Sequence, residues 1–122
     1  MILVDTSIWV DHLRAGDPHL RELLQTQQVA THPFIIGEVA LCHLRQRNEV
    51  MNTLGKLPKM SVADHDEVLL FIGAEALFGS GIGFVDASLL ASVRLTVGTL
   101  FWTRDKNLLA MARRLRLAYG PN

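Results

Sequence analysis

The stretch that decides the fold is ILVDTSIWVDHL, residues 2–13. Ile2, Leu3 and Val4 make a short apolar run of the kind buried on both faces of a parallel sheet. The run ends on Asp5, and from Thr6 to Arg14 the pattern turns helical, stopping before Ala15-Gly16. A strand passing straight into a helix opens a βα unit, and the acid between them needs a reason. As an N-cap it would satisfy an orphan helix amide. At the carboxyl end of a parallel strand it would point to where open α/β sheets bind ligands. This stretch alone leaves both readings open.

The alternation continues outward. Asp17-Pro18 is an N-cap followed by proline at the first helical position, predicting a helix to about Gln28. Val29–Thr31 predicts a short strand. Pro33 opens a helix to Arg47 with Ile35, Ile36, Val39, Cys42 and His43 on a buried stripe. A short helix over Asn48–Leu54 is stopped by Gly55 and Pro58, and Lys59–Val62 is a strand candidate. Asp64 to Phe78 reads as a strong helix, and Gly79, Gly81 and Gly83 as a flexible loop. Phe84–Val97 is helical, with Leu89, Leu90 and Val93 on one face. TLFWT (99–103) predicts a strand, and Asp105 caps a helix with Leu108, Met111, Ala112 and Leu115 in phase. Leu117–Tyr119 is a last strand candidate before Gly120-Pro121. Strands alternating with helices over 122 residues predict one α/β domain, 1–122, around a parallel sheet.

Composition narrows the class. A single cysteine, Cys42, excludes an intrachain disulfide and suits the cytoplasm. No apolar run approaches the ~20 residues of a membrane span, and the first residues lack the order of a signal peptide. The net charge is zero but unevenly spread: residues 1–85 hold six Lys/Arg against ten Asp/Glu, and residues 86–122 six against two. The basic C-terminal third suits phosphates or, equally, a solvated helix face.

Most of the twelve acids have ordinary explanations, as caps or solvated helix positions. Four do not. Glu38 lies three residues after Ile35 and four before Cys42, on the apolar stripe, so either it is paired or the stripe's edge is exposed. Asp5 ends one strand and Asp105 follows another, each also a candidate N-cap. Asp86 sits in the first turn of its helix, where the dipole favours an acid, and in phase with Leu89, Leu90 and Val93. Four carboxylates held close repel, and a divalent cation relieves that repulsion. Oxygen-only ligands suit hard ions, Mg²⁺ or Mn²⁺.

VDTSIWVD (4–11), IIGEVA (35–40), FVDASLLAS (84–92) and FWTRDKNLLAMA (101–112) together resemble the PIN-domain family of metal-dependent ribonucleases. In particular they resemble the small VapC-like toxins of toxin–antitoxin pairs. The resemblance spans nearly the whole chain and implies an α/β/α sandwich with a central, mostly parallel sheet of four or five strands. It places Asp5, Glu38, Asp86 and Asp105 on the family's acidic quartet, and Thr6 and Thr103 on supporting hydroxyl positions. It implies Mg²⁺-dependent (or Mn²⁺-dependent) cleavage of RNA by in-line attack of water, leaving a 3′-hydroxyl and a 5′-phosphate. It also implies a homodimer and a VapB-like antitoxin whose basic side chain enters the acidic site.

Arg104 and Lys106 flank Asp105 and are candidates for holding the RNA backbone, on adjacency alone. Two further readings stay open from sequence: an RNA-processing nuclease without an antitoxin, and a non-catalytic module binding metal or basic peptide. The five histidines include no zinc-binding helical pair, and the glycine loop lacks the Lys-Ser/Thr ending of a phosphate loop.

Overall fold

β1 (Ile2–Val4) is the centre of a parallel sheet, between β2 (Val29–Ala30) and β3 (Leu100–Trp102). Leu3 pairs with Ala30 on one side and Phe101 on the other. A computed structural model describes residues 1–120; Pro121, named from sequence only as following the last strand candidate, lies outside the described residues. Of the four or five expected strands, three form the ladder. The outer two are reduced to single parallel bridges, Lys59 beside Thr31 and Ala118 beside Phe101.

Among the described residues seven helices surround the strands: α1 (Thr6–Ala15), α2 (Pro18–Gln25), α3 (Pro33–Ala40), α4 (Arg47–Lys56), α5 (His65–Ala74), α6 (Phe84–Leu95) and α7 (Lys106–Arg114). The local signals are realised as built interactions. Asp17 accepts from the Leu20 amide to cap α2, and Asp64 and Glu67 close a capping box on α5. Leu3, Val4 and Phe101 are fully buried on the sheet, against Ile8, Leu20 and Leu89 from the helices. In α6 seven successive residues, Ala87–Val93, are buried. With 3.6 residues per turn, such a run is enclosed on every side.

Several helix ends depart from the sequence reading. The helix expected over Pro33–Arg47 stops at Ala40, and a new one starts at Arg47 after Gln46, which is left-handed at φ +51°. His43 is therefore exposed and Cys42 only half-buried, off the stripe assigned to them. Gly55 lies inside α4 instead of stopping it. α2 and α5 end early at Gln25 and Ala74, before the positive-φ residues Gln27 and Ala76.

The strands all run one way, so their carboxyl ends share one edge. That edge carries Asp5 after β1 and Thr103 after β3.

Candidate metal centre

Asp5 is not used as a cap. Its carboxylate accepts no backbone amide from the first turn of α1. Its Oδ2 instead accepts from Thr103 Oγ1 at 2.7 Å and from Ser7 Oγ at 2.9 Å. The residue is buried, with 6% of its surface exposed, so two hydroxyls replace much of its lost hydration. Both bonds fall on the same oxygen, which orients the carboxylate.

Thr103 reaches in two directions. While donating to Asp5 it accepts from the Asp105 amide at 3.1 Å. Ser7 likewise accepts from the Arg104 amide at 3.1 Å, so both hydroxyls stitch the turn after β3 to the start of α1. Ser7 was not picked out from sequence as a site residue. The signal available was its place two residues after the strand-ending acid, in register to fold back on it.

Asp105 does cap its helix, its Oδ1 accepting from Leu108 at 3.0 Å, and the residue is exposed. The N-cap reading is thus realised for Asp105 and not for Asp5. Glu38 accepts from Thr6 Oγ1 at 2.6 Å and is also exposed. Of its two sequence readings, paired on the stripe or at an exposed edge, the second is realised: α3 buries Ile35 and Val39, and Glu38 lies on the open edge facing α1.

Asp86 is half-buried at the start of the enclosed α6. Burial pushes its pKa above the usual carboxylate range, while the Gly83 amide, 3.4 Å from Oδ2, pulls the other way. The negative charges of Asp5, Asp105 and Glu38 then push it up further. Three acids from three other segments therefore act on Asp86, and the ionic neighbours acting on it are all acids. Among the described residues no three His, Cys, Asp or Glu side chains stand close enough together, as they are placed, to hold a metal ion. The fit to a metal therefore rests on the chemistry of the donors. This all-oxygen set without a balancing cation fits a hard divalent ion.

Arg104 is already committed. Its Nη1 meets Asp11 at 2.5 Å and its Nη2 meets Asp17 at 2.6 Å, a fork between two carboxylates that raises its own pKa. Its charge is thus balanced before any RNA phosphate arrives. Lys106, exposed at the start of α7, has no such partner among the described residues.

The described residues 2–114 match the PIN domain family model. The chain is 50% identical over 110 residues to the protein named Ribonuclease VapC32 in each of two strains of Mycobacterium tuberculosis, covering 90% of this chain and 89% of the relative. In fold it is similar to the crystal structure of PAE2754 from Pyrobaculum aerophilum, with a TM-score of 0.68 and 18% identity. That match covers 97% of this chain and 87% of the other. The edge of acids described above is therefore read within a known framework: the chain belongs to the PIN-domain family.

Proposed function

We propose that this protein is a divalent-metal-dependent endoribonuclease and the toxin of a VapBC-like pair. The observation that supports the reading is that the negative charges of Asp5, Glu38 and Asp105 all act on Asp86, with no cation among them. The half-identical relative, named a ribonuclease of the VapC kind, supports the same conclusion. PIN-family nucleases are in general divalent-metal dependent, and the all-carboxylate set favours Mg²⁺, with Mn²⁺ able to substitute.

Asp5, Glu38 and Asp86 hold the ion, and Asp105 completes the set. Bound there, a divalent ion supplies Lewis acidity toward a phosphodiester and toward water. The protein's part is positioning. Ser7 and Thr103 fix Asp5, Thr6 fixes Glu38, and the Asp105 carboxylate is held by its own cap. Lys106 is placed to meet the RNA backbone at the start of α7, and Arg104, despite its two ion pairs, flanks the same acid.

A VapB-like antitoxin would silence the site by placing a basic side chain among the acids, supplying the charge otherwise brought by the metal. We assign the protein to the cytoplasm, where its RNA is. None of the described helices is long and apolar enough to cross a membrane. Exposed Leu69, Leu70 and Phe78 on and after α5, with Phe84 at the start of α6, offer an apolar face for a homodimer.

The test is cleavage of cellular RNA by antitoxin-free protein in Mg²⁺, Mn²⁺ or EDTA, beside Asp5→Asn and Glu38→Gln. Metal-dependent cleavage lost in both folded variants is the expected result. Cleavage that survives EDTA or both substitutions would reject the site.

A further inference from the structure

Next to the acids, three distant segments bring three aromatic rings together. His19 comes from the first turn of α2, Trp102 ends β3, and Tyr119 follows the bridge at Ala118. His19 lies nearly parallel to Tyr119, with centroids 5.8 Å apart and 9° between planes, and its Nε2 is 2.6 Å from the Tyr119 hydroxyl. Trp102 meets both rings edge-on, at 5.3 and 5.8 Å. Arg104 sets its guanidinium 5.9 Å from the Trp102 centroid.

These side chains, with Asp17 and Thr103, line an open cavity of about 450 Å³. Its size is in the range of small-molecule sites. The rings are only partly spent on the core, against which Trp102 and Tyr119 pack. His19 is exposed and Trp102 and Tyr119 are only half-buried, whereas the other tryptophan, Trp9, is 3% exposed. The cavity also shares a wall with the metal centre, because Thr103 lines it while donating to Asp5.

The charges decide what kind of group fits. Asp11 and Asp17 balance Arg104, so this wall does not offer a free cation to a phosphate. What remains, with two carboxylates against one guanidinium, is a surface without free positive charge, made of polarisable ring faces with hydrogen-bonding tips. A planar heteroaromatic group suits it, and unpaired bases stack on aromatic side chains and guanidinium planes in this way.

We propose that the His19–Trp102–Tyr119 cavity seats an unpaired base of the RNA, the neighbour of the phosphate held at the acids. The inference rests on the nuclease reading and extends it: the substrate is single-stranded at the cut, and this cavity selects the flanking base. A base anchored here places the adjoining phosphate over the sheet edge that carries Asp5.

The experiment uses the full chain carrying Glu38→Gln in Mg²⁺, titrated with uridine, adenosine, cytidine and guanosine homo-oligonucleotides. Tryptophan fluorescence and dissociation constants are the readouts. Stacking quenches Trp102, with buried Trp9 as a constant background. At least one homopolymer binds about 5- to 150-fold more weakly to Trp102→Leu and to His19→Ala, whereas Trp102→Phe retains binding. An abasic position in that oligonucleotide causes the same loss, and combined with Trp102→Leu it adds none. His19 is exposed, so its substitution keeps the fold should Trp102→Leu not do so. Unchanged affinities in both His19→Ala and Trp102→Leu, or equal affinity of Trp102→Leu and Trp102→Phe, would overturn the proposal.

Wild-type cleavage run alongside separates the two readings. Quenching and base-dependent affinity without metal-dependent cleavage would retain the cavity and reject the nuclease. Cleavage with KM and kcat unchanged in His19→Ala and Trp102→Leu would retain the nuclease and reject the cavity.

Discussion

Thr103 donates its hydroxyl to Oδ2 of Asp5 at 2.7 Å, across a separation of 98 positions in the chain. The bond joins the ends of β3 and β1 at the edge where the acids gather. Thr103→Val keeps the shape and removes both the donor to Asp5 and the acceptor for the Asp105 amide. The expected result is a loss of cleavage of about 10- to 100-fold. Stability falls by about 1–3 kcal/mol, since a buried carboxylate loses a partner. Thr103→Ser restores most of both. Cleavage rates and urea midpoints for the three proteins check this, and wild-type cleavage by Thr103→Val would remove Thr103 from the site.

Crowded acids make the metal-free protein pay a repulsive cost that an ion relieves. Asp86→Asn removes one of the four charges and is expected to stabilise the metal-free protein by up to about 1 kcal/mol. The wild type gains about 2.7 kcal/mol when Mg²⁺ reaches a hundred times its dissociation constant. Asp86→Asn loses most of that gain. Melting temperatures with and without Mg²⁺ therefore move in opposite directions on substitution, and a variant less stable without metal would contradict the repulsion.

His32 is fully buried, and both ring nitrogens are used in the neutral form. Nδ1 accepts from the Phe34 amide at 3.0 Å, and Nε2 lies 3.2 Å from the Ser92 hydroxyl. Burial lowers its pKa below the ordinary imidazole value of 6.5. His12 is lowered too, by burial first and then by Arg21. Below that value the unfolded chain takes up protons that the folded chain refuses, so stability is full above pH 6.5 and falls as the pH drops through it. Denaturant midpoints from pH 8 to about pH 5 should decline toward acid. His32→Asn keeps an N-cap acceptor for Phe34 but does not titrate; it is less stable at neutral pH and has a shallower decline. An equal slope would dismiss His32 as its source.

Asp17 caps α2 and holds Arg104. Burial pulls its pKa up, but the Leu20 amide and the Arg104 guanidinium outweigh this and leave it below the usual value of 3.8. Its stabilisation is present above that value and is lost as the pH falls through the depressed one. Arg104→Gln should shift acid unfolding to higher pH, and Asp17→Ala should destabilise by about 1 kcal/mol at neutral pH. Arg104→Lys should not rescue, because a single ammonium lacks the fork that joins Asp11 to Asp17. Acid titrations followed by circular dichroism distinguish these proteins.

What could be read from sequence was whatever local chemistry determines. The apolar run Ile2–Val4, the proline and Asp17 at the start of α2, and the apolar face of α6 are signals within one turn or one strand. The break at Leu41–Gln46 was not readable. Apolar spacing continues through it, and the stop is a left-handed Gln46 that residue type does not announce. Spacing put Glu38 on its helix but left open whether it was paired or at an exposed edge, since that boundary is drawn by α1. Arg104 was read from adjacent Asp105, yet its partners lie 93 and 87 positions away. The aromatic cavity likewise has no local pattern, being assembled from residues 19, 102 and 119.

The enclosure of α6 has a further consequence for motion. A helix buried on all sides opens to solvent only with the whole domain, so its amides should be among the last to exchange hydrogen. Asp86 starts that helix and Asp5 is buried at the end of the central strand, whereas Glu38 and Asp105 stand on exposed helix edges. The four carboxylates thus divide by the backbone that carries them, two on buried segments that open only with the domain and two on exposed residues, each oriented by its own hydrogen bond. A divalent ion held there would rest on both kinds of support.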